Sequence, residues 1–99
     1  MDKGKDILQF SNPNIVAKKA YKYFGEHISI YLSTKKDKKY MVKDPNDKWV
    51  HFGQMGAEDH TKHQDEKRRQ SYLRRSTNIR GNWKDNPYSP NNLSINLLW

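Results

Sequence analysis

Two groups of cations are the residues whose types and spacing invite chemistry. Lys35, Lys36, Lys38 and Lys39 crowd together with Asp37 as their sole interruption, and Lys67, Arg68, Arg74 and Arg75 form two pairs seven residues apart. Such an array suits a polyanion, because each phosphate it neutralises releases condensed counterions and so favours binding. Contacts of this kind hold a nucleic acid in register without reading its bases. The competing explanation is a solvated surface, which keeps a protein soluble and does nothing more. Composition weighs for the polyanion: 19 Lys and Arg stand against 11 Asp and Glu, a formal net charge of +8. The distribution is also segmental, since Asp44, Asp47, Glu58 and Asp59 lie between the two basic stretches.

Other chemistries are less well supplied. His60 and His63 are three apart, with Asp59 and the distant His51 as further donors, but a metal site needs three or four converging ligands and the spacing offers two. Glu58, Asp59, Asp65 and Glu66 supply carboxylates without a catalytic spacing. Asp65 precedes Arg69, and Glu66 precedes Gln70, by one helical turn, so surface pairing accounts for them. With no cysteine there is no thiolate nucleophile, disulfide framework or Cys-type zinc site. No phosphate-cradling glycine loop is present. The sequence therefore points to no catalytic residue, no metal and no cofactor, and to a binding protein instead of an enzyme. Tyr31, Trp49, Trp83 and Tyr88 could stack on unpaired bases. In a small chain with 33% apolar residues, core packing is the favoured role for them, because each ring buries about 150–250 Å².

The elements that must position these groups follow from periodicity. A chain of 99 residues has room for one core. Residues 1–12 are expected to form an N-terminal arm, with Ile7, Leu8 and Phe10 able to dock it, and residues 13–99 a single domain. Val16, Lys19, Ala20, Tyr23 and Phe24 make one stripe of a helix, with Ser11 or Asn12 as its cap, Pro13 in its first turn and Gly25 at its end. From Ile28 to Leu32 the period becomes two, a strand. Tyr40–Lys43 and Lys48–Phe52 are two more, joined by the turn Asp44-Pro45-Asn46-Asp47. Thr61 and Gln64 read as a capping box that opens a second helix running to about Thr77. After an irregular stretch, Ser89 and Pro90 open a short last helix carrying Leu93, Leu97 and Trp99. The expected fold is α+β: helix, three-stranded antiparallel meander, helix and short C-terminal helix, in the order α-β-β-β-α-α. The hairpin lysines then sit at the tip between the first two strands, and Lys67, Arg68, Arg74 and Arg75 on the outer face of the second helix. No stretch reaches the roughly 18 apolar residues of a membrane span or matches a signal peptide, so a soluble protein without membrane partners is expected.

Three segments carry a resemblance: Lys35-Lys36-Asp37-Lys38-Lys39-Tyr40-Met41-Val42, Lys48-Trp49-Val50-His51-Phe52-Gly53-Gln54 and Leu93-Ser94-Ile95-Asn96-Leu97-Leu98-Trp99. Over roughly residues 20–99 the chain resembles short basic proteins of unassigned function encoded by large nucleocytoplasmic DNA viruses such as marseilleviruses, mimiviruses and phycodnaviruses. The resemblance implies a viral protein, found in the virion and, during infection, in the host cytoplasm or viral factory. Combined with the two basic groups, it leads to an expectation of nucleic acid, DNA in the first place, held by its phosphates without sequence specificity. The rival expectation is a structural adaptor of the virion that acts through protein contacts or self-association, motivated by the apolar tail from Leu93 to Trp99. The element order also occurs in double-stranded-RNA-binding domains, although the loop between the first two strands, Lys35–Lys39, lacks the glycine, proline and histidine of theirs.

Overall fold

The computed structural model describes residues 3–99. Its best-specified element is helix α2, Pro13–Phe24. The Asn12 side chain accepts from the N–H groups of Asn14 and Ile15, Pro13 occupies the first turn, and Gly25, at φ 75°, donates its N–H to Tyr21. Val16 and Ala20 are buried, and Tyr23 and Phe24 pack beside them. This is the stripe expected from the 3.6-residue period.

Beside this helix lies an antiparallel sheet of three strands in the order β1-β2-β3, with β1 Tyr31–Leu32, β2 Lys38–Lys43 and β3 Trp49–Gln54, and the C-terminal segment packs against both β3 and the helix. Tyr40 pairs with Phe52 and Val42 with Val50, which places these four on the core face as alternation requires. In the β2–β3 turn the Asp44 carboxylate accepts from the N–H groups of Asn46 and Lys48. The first strand is shorter than expected. Only Tyr31 and Leu32 join the ladder, while Ile28 and Ile30 pack against the core from the irregular segment before it.

The second helix is where the expected pattern breaks. Instead of one element there are two, α3 His60–His63 and α4 Glu66–Thr77, parted by Gln64 at φ 56°. Two caps explain this. Asp59 accepts from the Thr61 N–H, and Asp65 accepts from those of Lys67 and Arg68, so each carboxylate starts its own helix. Thr61 is not a cap, because its hydroxyl turns back to Asp59 and Ser11.

The C-terminal segment forms α5, Pro90–Leu93, capped by Ser89, and continues as a π-helical turn over Ser94–Leu98. Leu93, Leu97 and Leu98 are fully buried, so this tail completes the core of its own domain. The N-terminal segment does likewise. Of the arm expected over residues 1–12, Met1 and Asp2 lie outside the described residues, and the rest is folded. Helix α1 spans Lys3–Asp6, a 3-10 turn follows over Ile7–Gln9, and Ile7 is a core residue. The Lys3 ammonium donates to the carbonyls of Ser33 and Lys35, tying this segment to the loop between β1 and β2. The architecture is thus α+β, a three-stranded meander between helices. No helix among the described residues is long and apolar enough to cross a membrane.

Candidate nucleic-acid interface

Helix α4 has few apolar side chains and is anchored by specific contacts. The Tyr72 ring stacks on Trp99 at 4.2 Å between centroids and 8° between planes. Arg69 donates through Nε to the Trp99 main-chain oxygen at 2.8 Å and through Nη1 to Glu66, and Asn91 donates to the Ser76 carbonyl. Arg69 is thus consumed in holding the helix. Its neighbours Lys67 and Arg68, with Arg74 and Arg75 two turns on, are exposed.

Between this helix and the sheet runs a groove of about 980 Å³, lined by Lys38 of β2, by Gly53 and Gln54 of β3, and by Lys67, Arg68 and Arg75 of α4. Two basic segments that are remote in sequence therefore contribute cations to the same groove. Tyr72, Leu98 and Trp99 supply its apolar wall. Arg68 meets Glu58 at 3.3 Å, an exposed pair of little energetic weight. Lys35 and Lys36 are exposed in the β1–β2 loop and Arg74 is exposed on α4, but these three do not line the groove.

Lys39 departs most from expectation. The sequence places it at an exposed hairpin tip, but it is buried, with 2% of its side chain exposed. Its stem lines the groove, but its ammonium donates to Asp59 Oδ2 at 3.0 Å and to the Phe10 carbonyl at 3.2 Å. The carboxylate accepts in turn from the Thr61 N–H and hydroxyl, the Thr61 and Ser11 hydroxyls share a hydrogen bond, and Tyr40 donates to Ser11 Oγ at 2.7 Å. Burial lowers the Lys39 pKa, and the adjacent Asp59 charge partly restores it. Burial likewise pushes the Tyr40 hydroxyl up to about 12. Buried charges survive only when paired and hydrogen-bonded. Lys39 is therefore committed to internal structure and drops out of the set of exposed cations.

Among the described residues, no three His, Asp or Glu side chains gather as a metal-ligand set. His60 and His63 pack edge to face, and His63 Nδ1 accepts from the Asp65 N–H. The aromatic residues divide. Tyr88 stacks on Phe24 and Trp83 donates to the Ile79 carbonyl, both structural roles. Tyr31 and Trp49, expected in the core, are exposed on the outer face of the sheet.

Sequence reasoning missed Gln54, Ser71 and Asn91 as polar lining of the groove. Gln54 lay two residues beyond the expected end of β3, and continuing the strand through Gly53 would have found it. No curated protein and no solved structure matches the chain. Residues 28–76, which hold the whole sheet, the buried Lys39–Asp59 pair and every cation of both basic groups, are similar to a family of unknown function, DUF5754.

Proposed function

We propose that this protein binds nucleic acid, DNA in the first instance, through its phosphates and without reading sequence, and that it does so as a binding protein and not as an enzyme. One observation carries the reading: Lys38 from the sheet and Lys67, Arg68 and Arg75 from α4 line one groove. Convergence of cations from separate elements is what a phosphate track requires and what random solvation does not. Lys35, Lys36 and Arg74 extend the positive field beyond the groove. The resemblance to short basic proteins of large DNA viruses supports a viral setting, with the viral genome as the polymer and the virion or viral factory as the place. The apolar tail from Leu93 to Leu98, one of the motives for the alternative of a virion adaptor, is turned into the protein's own core.

The test is fluorescence anisotropy with a labelled oligonucleotide across a salt series. Binding should weaken steeply with salt, with a log-log slope of roughly −0.9 per phosphate neutralised on duplex DNA. The double variant Lys67→Glu/Arg75→Glu should weaken every oligonucleotide alike and flatten that slope. A wild-type protein that ignores DNA and RNA in dilute buffer overturns the proposal.

A further inference from the structure

The outer face of the sheet carries a second surface that the groove does not use. Tyr31 of β1, Met41 of β2 and His51 of β3 stand in register across the strands, and Lys43 pairs with Trp49 in the next row on that face. The Tyr31 and Trp49 rings meet edge to face across β2, with centroids 5.6 Å apart and planes at 84°. They are 50% and 44% exposed. Tyr72, Trp99, Phe24 and Tyr88, by contrast, are stacked on one another in pairs. Leaving two large rings in water on one face forgoes the burial that a small domain needs, and an edge-to-face pair leaves ring surface open to a further planar group.

Charge identifies the planar group. The Lys43 ammonium lies 5.1 Å from the Trp49 ring centroid, and its carboxylate partner, Asp47, is 83% exposed, so this surface pair is one that a phosphate can replace. Lys48 is exposed beside Trp49. At the other end of the face, His51 feels the positive charges of Lys35, Lys3 and Lys38 against Asp37 alone; these add to burial in lowering its pKa. Rings flanked by cations match a polymer whose bases have free faces and whose linkage is anionic. In a duplex those base faces are hidden in the stack. We infer that the outer face of the sheet binds the unpaired bases of a single-stranded nucleic acid by stacking on Tyr31 and Trp49. The inference rests on the polyanion reading above and adds to it a substrate class, single strand over duplex.

The experiment compares a labelled oligothymidylate with a duplex of the same phosphate count, at fixed salt, for the wild type and for Tyr31→Ala/Trp49→Ala. The wild type should favour the single strand. The double variant should lose roughly tenfold or more on the single strand, the scale of base–aromatic stacking, and nothing on the duplex. Tyr31→Phe and Trp49→Phe keep a ring at each position and should retain the preference, which separates stacking from any general loss of fold. Photocrosslinking with an iodouracil-bearing strand should map to Tyr31 or Trp49. Equal affinity for the two polymers, or an equal loss on both in the alanine variant, overturns this inference and leaves the groove reading standing. Failure of the wild type to bind either polymer removes both.

Discussion

Lys38 and Lys39 are adjacent, chemically identical and opposite in fate. Lys39 is buried among Asp59, Phe10, Thr61, Ser11 and Tyr40, while Lys38 lines an open groove with the cations of α4. What separates them is whether a carboxylate lies within reach. Asp59 is held in place by its backbone N–H, which donates to Phe10, and by its capping of Thr61, so a counter-charge is ready for one ammonium only. The buried lysine joins the N-terminal segment, β2 and the start of α3. Its neighbour is held by no such network and lines the open groove. A cation in a charge run becomes structural when a buried, preorganised anion meets it, as Asp59 meets Lys39.

The sharpest way to break this contrast is to remove the anion. Asp59→Ala leaves the Lys39 ammonium buried without its partner and Thr61 without its cap, so unfolding stability should fall by about 3–5 kcal/mol in chemical denaturation. In a domain of ordinary stability, about 5–15 kcal/mol, that is a large part of the whole. A loss below about 1 kcal/mol would mean that water already reaches the pair. Next comes Gly53, which lies between the two regions. It sits at φ 81°, and a Cβ there would approach Leu98 Cδ1 to 2.8 Å and Lys39 Cβ to 3.1 Å. Gly53→Ala therefore adds a strained backbone to a clash and should cost about 1–3 kcal/mol. Lys38→Ala should do the reverse of Asp59→Ala. Stability should stay within about 0.5 kcal/mol, while the salt slope for DNA loses roughly 0.9. A variant that destabilised without changing the slope would assign Lys38 to structure as well.

Much of the fold was legible because local signals agreed with the tertiary arrangement. Asn12, Pro13 and Gly25 bounded α2 at both ends, and the alternation of Tyr40 with Val42 and of Val50 with Phe52 gave the core face of the sheet. The split between α3 and α4 was hidden because Thr61 and Gln64 imitate a capping box, while the real caps, Asp59 and Asp65, stand in the sequence as a further metal donor beside His60 and as a helix-surface partner of Arg69. The fate of Lys39 had no local signal. Its partner lies 20 residues away, and only the folded chain brings the two together. The same holds for the groove, since periodicity assigns cations to faces but does not say which faces meet. Tyr31 and Trp49 were misjudged for a different reason: overall hydrophobic scarcity argued for burial, while their own alternation with Ile30 and Val50 already sent them outward.

The smallest effect sharpens the contrast from the groove side. His63 packs against Trp99, with ring centroids 5.2 Å apart, and its Nδ1 accepts from the N–H of Asp65, the cap of α4. Protonation would set N–H against N–H and loosen the start of the helix that carries Lys67 and Arg68. Burial, followed by the charges of Arg68 and His60, lowers the His63 pKa, against the opposing pull of Asp65 and Glu58. A base whose folded pKa is lowered is protonated first in the unfolded chain, so its contribution favours the fold fully above about pH 6.5 and is lost as pH falls through the folded value. Stability measured by denaturation should therefore decline from near neutrality into mild acid. His51, whose pKa is lowered in the same direction, adds a parallel decline from the sheet. His63→Gln should remove one part of this dependence and His51→Gln the other, and a pH profile unchanged by His63→Gln would show that α4 does not depend on the neutral imidazole for its start.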